Sequence, residues 1–383
     1  MTMTKQEHLD EARTPKRILS LSGGGIRGIL TLEYLAVIED MLRTRSGRRD
    51  LVLSDYFDLI GGTSTGSIIA AALACGFPVA KLQTLYRGIG GTVFEKSIKS
   101  TLTLGGILAP KFPSEPVRQA LDAQLGAETT LDSDRVLTGL MIMTKRLDTG
   151  SPWPLHNSPR APYAAQDGKL LLSQIVRASI AAPTYFEPER VRISSRDGSI
   201  VSGAFVDGGV SPFNDPSLQL LMLAALQGHG FRWQMGADKI LLISLGTGTH
   251  KHTYSTAQIM NMPVAQQGIR ALQSLMDDCA RMNHAMVQWI TDCQTPWLID
   301  RAVGDMKLDS ERGPKLVTSA YYDVILDQTW LKTQVAVDLE PDKVAEIAEM
   351  DNPTNMDELA EIGRAAALKQ VKPAHFPTHF DVD

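Results

Sequence analysis

The sequence has no hydrophobic run long enough to cross a bilayer. Its most apolar windows cover residues 68–74 and 218–226, whereas a membrane-spanning helix needs roughly 20 apolar residues. The polar stretch 1–15 also lacks the apolar core of a secretory signal, so we expect a cytoplasmic protein. Contact with a membrane is therefore expected at its surface, as peripheral association.

Cysteine, basic charge and metal-binding motifs are scarce as well. The three cysteines, Cys75, Cys279 and Cys293, form no C-x-x-C motif, which predicts reduced thiols. A net charge of -5 lacks the basic excess of a nucleic-acid-binding protein, so we expect no nucleic acid polymer as a partner. The sequence contains no H-E-x-x-H motif and no cysteine–histidine cluster with metal-ligand spacing, and we expect neither a metal nor another cofactor.

What is present is the composition of a globular α/β protein. Of the 383 residues, 43% are hydrophobic and 21% are charged, which permits a sizeable core. Apolar strands closed by glycine alternate with helical patterns, and this alternation predicts a largely parallel sheet covered by helices on both faces, an α/β/α fold. We expect the strands near residues 17–21, 56–60, 136–144, 200–206 and 239–245.

Other segments give weaker patterns. Residues 1–15 and 373–383 are expected to be a flexible and a loose tail, and residues 251–372 a mainly helical part packed on the core, with a last helix between 350 and 368. The stretch 150–162 carries four prolines and is expected to be an irregular loop. The glycine-containing apolar segment 90–113 fits either a lid that contacts an interface or a loop packed over the core.

The stretch Gly62-Thr63-Ser64-Thr65-Gly66 lies between an apolar run and a helical run of small residues. A strand that turns sharply into a helix needs small residues on both sides of the turn, and G-x-S-x-G supplies them while exposing the serine hydroxyl. Ser64 is therefore the candidate nucleophile. On its own, the same pattern also fits a glycine-rich loop without a catalytic role.

A second glycine-rich loop, Gly23 to Gly28, follows the first predicted strand and precedes a helix. It matches the dinucleotide-binding pattern G-x-G-x-x-G, but that function requires an acidic residue at the end of a second strand. The basic turn 43–49 follows instead. A glycine loop that enters a helix can also direct its backbone N–H groups at an oxyanion.

A third motif, Asp207-Gly208-Gly209, comes directly after a predicted strand. Aspartate before glycine is common in turns, so this motif alone favours a structural role. Its interest lies in its position, downstream of both the Gly23 loop and Ser64.

In this order, the three motifs resemble the patatin-like phospholipase family, whose signature is a G-G-G-x-[RK]-G loop, a G-x-S-x-G elbow and a D-G-[GA] motif. Three further blocks are similar to family segments: 178–186 to A-S-x-A-A-P-x-x-F, 214–216 to N-N-P, and 244–248 to S-L-G-T-G. The likeness runs from about residue 17 to 248. This chain departs from the family at Ser22, where many members have aspartate, and at Asp215, which replaces an asparagine.

The resemblance implies a patatin-like catalytic core at residues 16–250 and a serine lipid acyl hydrolase of the phospholipase A type. The substrate would be the carboxylic esters of membrane phospholipids at the bilayer surface. The implied machinery is a Ser64–Asp207 dyad without histidine, and an oxyanion hole formed by the backbone N–H groups of Gly23, Gly24 and Gly25. Supporting positions would be Arg27, Gly28, Gly62, Gly66, Gly208 and Gly209.

Two further implications concern regulation and Arg27. Arg27 would orient the glycine loop or attract a lipid phosphate, and the alternative is a solvated arginine at a helix start. Some bacterial patatin-like lipases are antiviral effectors that a cyclic dinucleotide switches on. A cyclic dinucleotide activator is therefore a hypothesis for this chain, as is a homo-oligomer.

Three other functions remain open from the residues alone. An α/β-hydrolase with a Ser-Asp-His triad would use a histidine downstream of Asp207, and His250, His252 and His284 lie there. A nucleotide-binding module would use the Gly23 to Gly28 loop. A catalytically silent interaction protein is disfavoured by the intact serine, aspartate and glycine loop.

Overall fold

The computed structural model describes residues 3–94, 112–194, 198–250 and 254–382. Most of the apolar segment 90–113, for which the sequence left a lid and a packed loop open, lies outside these residues. No helix among the described residues combines the length and apolar character needed to span a bilayer.

Within the described residues, nine strands form one sheet. The strands are β1 Lys16–Leu21, β2 Leu59–Thr63, β3 Gly139–Arg146, β4 Ser151–His156, β5 Glu189–Ser194, β6 Ile200–Asp207, β7 Ile240–Leu245, β8 Asp292–Cys293 and β9 Thr318–Tyr322. Their order is β5-β6-β3-β2-β1-β7-β9-β8, and β4 pairs with β3. The pairs among β1, β2, β3, β7, β8 and β9 are parallel, whereas β4, β5 and β6 join antiparallel.

The helices cover both faces of this sheet. They are α1 Lys5–Leu9, α2 Gly28–Ser46, α3 Leu53–Tyr56, α4 Thr65–Ala74, α5 Val79–Phe94, α6 Ser114–Leu125, α7 Ala164–Asp167, α8 Leu172–Ser179, α9 Ser217–Ala225, α10 Thr256–Met260, α11 Val264–Ile290, α12 Lys307–Glu311, α13 Gln328–Trp330, α14 Pro341–Ile347 and α15 Met356–Gln370.

Alternation along the central strands produces the two hydrophobic cores. Successive strand residues point to opposite faces. In β1, Leu19 and Leu21 belong to the core shared with α2, α4, α8 and α15, while Ile18 belongs to the core shared with α9. Both faces are therefore buried, and the predicted α/β fold with a mostly parallel, helix-covered sheet is confirmed.

The strand register brings the candidate site residues to one edge of the sheet. Leu21 pairs with Gly62 on one side and with Leu245 on the other, so β1, β2 and β7 end level with one another. Thr63 pairs with Met143, and the next residue of β3, Thr144, pairs with Asp207. The loop after β1, the turn after β2 and the end of β6 consequently meet at the carboxyl edge.

The proline-rich stretch 150–162 is not wholly irregular, contrary to the sequence prediction. Part of it forms β4, which pairs antiparallel with β3 and includes Pro152 and Pro154. Proline cannot donate a ladder hydrogen bond, but strands off the centre of a sheet tolerate it. The sheet also continues beyond residue 250, because β9 pairs with β7.

Both ends of the chain pack against the core, in place of the tails that the sequence predicts. His8, in α1, lies 2.9 Å from the buried carboxylate of Asp58 through its Nδ1 atom. Arg17 donates from Nε to the carbonyl of Phe380 at 2.7 Å, and the Phe380 ring is fully buried. A buried charge needs hydrogen-bonding partners, and here the termini supply them.

Candidate active site

Ser64 occupies a strained turn between β2 and α4. Its φ of 52° and ψ of -128° lie in a region that non-glycine residues rarely adopt. The flanking glycines leave no room for side chains, since a Cβ atom on Gly62 would lie 2.2 Å from the Gly66 carbonyl oxygen. A Cβ atom on Gly66 would lie 2.3 Å from the Leu21 carbonyl oxygen. The packing thus explains both glycines of the G-x-S-x-G pattern.

The hydroxyl of Ser64 is hydrogen-bonded to Asp207, which lies at the end of β6. Ser64 Oγ donates to Asp207 Oδ2 at 2.6 Å. The second carboxylate oxygen, Oδ1, accepts a hydrogen bond from the backbone N–H of Gly209 at 2.7 Å. The carboxylate is therefore held in a fixed orientation toward the serine, a geometry in which it can accept the serine proton.

Burial changes the proton affinity of this carboxylate. Asp207 is only 5% exposed. Desolvation raises its pKa to about 6, while the hydrogen bonds from Ser64 and Gly209 act in the opposite direction. A carboxylate with this pKa is a better base near neutral pH than one with the ordinary value of about 3.9.

The loop after β1 lies directly against Ser64. A Cβ atom on Gly23 would lie 2.8 Å from the Ser64 Cβ. Two of the expected oxyanion donors already have acceptors, because the Gly23 N–H donates to the Asn214 carbonyl at 3.2 Å and the Gly24 N–H donates to Thr65 Oγ1 at 3.2 Å. Among the described residues, the Gly25 N–H has no acceptor.

Arg27 connects this loop to the C-terminal part of the chain. Its Nη1 donates to the Ala348 carbonyl at 3.2 Å, and burial lowers its pKa. The N–H of the preceding Ile26 donates to the Met350 carbonyl at 2.9 Å. The remaining predicted positions lie nearby, since Gly28 begins α2, and Gly208 and Gly209 form the turn after Asp207.

A family model described as patatin-like phospholipase matches residues 19–220, more than half of the chain. This chain belongs to that family. Patatin group M-3 of Solanum tuberosum is 32% identical over 282 residues, which cover 68% of this chain and 70% of that protein.

Two bacterial relatives carry the name cGAMP-activated phospholipase. The protein of Escherichia coli strain TW11681 is 34% identical over 54% of this chain, and that of Vibrio cholerae serotype O1 is 33% identical over 55%. The matches span 55% and 57% of those two proteins. Among solved structures, human GIVD cytosolic phospholipase A2 is 11% identical with a TM-score of 0.40, over 95% of this chain and 60% of that one.

The sequence alone predicted no role for three residues of this patatin-like site. Ser179 Oγ accepts the Ser64 N–H at 2.9 Å and itself donates to the Met143 carbonyl at 2.6 Å. Asn214 Nδ2 and Thr247 Oγ1 both donate to the Gly23 carbonyl, at 3.3 Å and 2.9 Å. All three lie in the blocks that resemble family segments, so those blocks were the signal that could have identified them.

The Asp215 departure from the family pattern has a structural explanation. The side chain is buried, and its Oδ1 accepts from Ser20 Oγ at 3.3 Å, Ser244 Oγ at 3.3 Å and the Ser217 N–H at 3.0 Å. Three donors thus compensate the added charge.

The histidines of the alternative triad lie elsewhere. His250 Nδ1 lies 2.8 Å from the Leu326 carbonyl oxygen, and the His284 ring packs against Tyr321 with 4.1 Å between centroids. His252 is outside the described residues. In the described part of the chain, the hydrogen-bond donors to the Asp207 carboxylate are Ser64 and Gly209, and no histidine joins them.

Among the residues that the structure describes, the groups expected of a metal site or of a dinucleotide loop are not brought together. Across the residues that the structure covers, the His, Cys, Asp and Glu side chains form no group of three that could bind a metal. The Gly23 to Gly28 loop matches a dinucleotide-binding pattern, but other parts of this chain pack directly against it. Thr247 and Met350 lie where side chains on Gly24 and Gly25 would project.

Proposed function

We propose that this chain hydrolyses the carboxylic esters of membrane phospholipids, with Ser64 as the nucleophile and Asp207 as the general base. The observation that carries the proposal is the 2.6 Å hydrogen bond from Ser64 Oγ to the buried Asp207 carboxylate, in a member of the patatin-like phospholipase family. The raised pKa of Asp207 supports its role as the base.

The reaction proceeds through an acyl-enzyme. Ser64 Oγ attacks the ester carbonyl carbon while Asp207 takes the hydroxyl proton, and the carbonyl oxygen becomes an oxyanion. When the tetrahedral intermediate collapses, the lysophospholipid alcohol leaves with the proton held by Asp207. Water then attacks the acyl carbon while Asp207 again accepts a proton. When the second tetrahedral intermediate collapses, that proton passes from Asp207 to Ser64 Oγ, and the fatty acid and free Ser64 are released.

We assign the oxyanion hole to the backbone N–H groups of Gly23, Gly24 and Gly25. The Gly25 N–H supports this assignment, because it has no acceptor among the described residues. The N–H groups of Gly23 and Gly24 would first have to leave the Asn214 carbonyl and Thr65 Oγ1 in order to donate to the oxyanion. The N-terminus of α4 begins next to Ser64 and adds a positive helix dipole. Removing one such donor typically costs about 100- to 1,000-fold in rate.

The test is hydrolysis of phospholipid vesicles by the Ser64→Ala variant. We expect a loss of at least about 1,000-fold in kcat, because the nucleophile is removed. Ser274→Ala, a change at an exposed position of α11, is the matched control and should retain parental activity. Undiminished fatty acid release by Ser64→Ala, with the control also active, would reject Ser64 as the nucleophile.

We further propose that a cyclic dinucleotide activates the hydrolysis. The support is the two relatives named cGAMP-activated phospholipase, at 34% and 33% identity. Measuring fatty acid release with and without cGAMP should show an increase in the parent and none in Ser64→Ala. Equal rates with and without cGAMP, in a parent that hydrolyses phospholipid, would mean that cGAMP is not an activator.

A further inference from the structure

Most of the long helix α11 is exposed to solvent. Its 27 residues are about 40 Å long, whereas a six-residue central strand spans about 20 Å. Its buried side chains lie near the C-terminal end, at Asn283, Val287 and Gln288. From residue 264 to 282, none of the described side chains is buried.

The anchor of α11 is at the carboxyl edge of the sheet. Asn283 Nδ2 donates to the Pro212 carbonyl at 2.5 Å and lies 3.4 Å from the Asp215 carbonyl oxygen, just after the Asp207 turn. About five turns of helix therefore precede the anchor, and none of their described side chains is buried against the rest of the chain. In proteins, most of the stability of a helix comes from packing of its apolar face rather than from helix propensity.

A stripe of apolar side chains runs along α11 at heptad spacing. It consists of Leu272, Leu275, Cys279, Met282, Met286 and Trp289. The spacing alternates between three and four residues, as in the a and d positions of a coiled coil. The stripe is open to solvent: Leu275 is 60% exposed, Met282 54% and Trp289 44%.

Charge and size indicate which partner fits this stripe. The charged residues of α11 are two arginines and two aspartates, Arg270, Arg281, Asp277 and Asp278, which sum to zero. Two copies would therefore not repel each other, whereas helices that bind bilayers are usually rich in lysine and arginine. Two helices packed along the 18 residues from Leu272 to Trp289 meet over about 27 Å, which is enough for a short two-stranded coiled coil.

We propose that α11 packs against α11 of a second copy of this chain along the Leu272–Trp289 stripe, and that the protein is a homodimer. The pairing buries the apolar seam and stabilises the part of α11 that the rest of the chain does not cover. This interface lies outside residues 19–220, which the family model matches, and the proposal does not depend on the reaction at Ser64.

The test compares two aspartate variants at neighbouring positions of the same helix. Leu275→Asp places a charge in the seam, and Ser274→Asp places the same charge outside the stripe. Sedimentation equilibrium should give twice the 41.8 kDa chain mass for the parent and for Ser274→Asp, and the monomer mass for Leu275→Asp. Circular dichroism should show that all three are folded.

A cross-linking experiment gives a second readout in the native sequence. Cys279 lies within the stripe, so a short bismaleimide should link two copies of the parent, and Cys279→Ser should abolish the link. A parent that is monomeric at all concentrations would overturn the proposal, as would a dimer that persists in Leu275→Asp. Flotation of a monomeric parent with phosphatidylcholine vesicles, lost in Leu275→Asp, would identify a bilayer as the partner instead and would also overturn it.

Discussion

At the scale of single residues, the role proposed for Asp207 as a base conflicts with the stability of the folded protein. Asp207 is buried beside Ser64, and desolvation raises its pKa to about 6. A base with this pKa suits proton transfer near neutral pH. The same burial makes the ionised carboxylate costly for the folded state, because the unfolded chain would ionise at about 3.9.

The Asp207→Asn variant separates these two effects. The folded-state pKa of Asp207 is raised, so its carboxylate lowers stability as pH rises from about 4 to about 6, and the full cost remains above that range. We therefore expect Asp207→Asn to abolish hydrolysis while raising the free energy of unfolding at pH 8 by up to about 2–3 kcal/mol. Urea unfolding at pH 8 and near pH 4 is the measurement, and the difference should disappear near pH 4. A destabilised variant at pH 8 would contradict this account.

The pH dependence of hydrolysis follows from the same group. In the mechanism that we propose, Asp207 must be deprotonated to accept the Ser64 proton, so kcat/KM should rise with pH and level off above about 6. Below that value we expect a fall of about tenfold per pH unit. Initial rates on vesicles between pH 4.5 and 8 give the profile, with circular dichroism to show that the enzyme remains folded. A flat profile would exclude Asp207 as the base.

At the scale of elements, the strand–turn–helix of β2 and α4 depends on close backbone approach. A side chain on Gly62 would meet the Gly66 carbonyl oxygen at 2.2 Å. Backbone atoms cannot move aside as a flexible side chain can, so a Cβ atom there must displace the start of α4. That displacement would also move Ser64 relative to Asp207.

We therefore expect Gly62→Ala to lower both activity and stability. The expected cost in the free energy of unfolding is about 1–3 kcal/mol, as for other overpacked sites. Gly228→Ala is the matched control, because a Cβ atom there meets no heavy atom within 4 Å. Denaturant unfolding and vesicle hydrolysis of the two variants check this. Similar stability for both would mean that the turn accommodates a methyl group.

At the scale of the whole molecule, the two chain ends are part of the core. The buried Asp58 carboxylate accepts from the backbone N–H of Arg17 at 2.8 Å, and the Arg17 guanidinium in turn donates to the Phe380 carbonyl. The ring of Phe380 is buried with Phe376 in the core that contains α2 and α15. The last residues thus close the face of the sheet that also carries Ser64 and α4.

Phe380→Ala should therefore destabilise the entire molecule. Loss of a fully buried phenylalanine costs about 3–5 kcal/mol, and we expect a single, cooperative unfolding transition at lower denaturant concentration. Leu298→Ala, at a side chain that is 71% exposed, should change stability by less than about 0.5 kcal/mol. If Phe380→Ala unfolds at the same denaturant concentration as the parent, the C-terminal residues do not contribute to the core.

The sequence by itself determined the local features of this protein. Apolar runs closed by glycine, alternating with helical patterns, predicted the α/β class. G-x-S-x-G predicted a tight turn at Ser64, because steric limits on the backbone act between neighbouring residues. The polar composition of residues 1–15 and the prolines near 154 led to wrong predictions of a tail and a loop. In the first place the contact of His8 with the distant Asp58 overrides the local preference, and in the second the pairing of β4 with the neighbouring strand β3 does so.

Only the tertiary structure decided what depends on distance between remote residues. Ser64 and Asp207 are 143 positions apart, and the strand register around β3 brings them within 2.6 Å. The raised pKa of Asp207 and the engaged N–H groups of Gly23 and Gly24 follow from burial and from partners such as Asn214 and Thr65. A sequence pattern does not specify burial or partner geometry, because both arise from the packing of segments that are far apart in the chain.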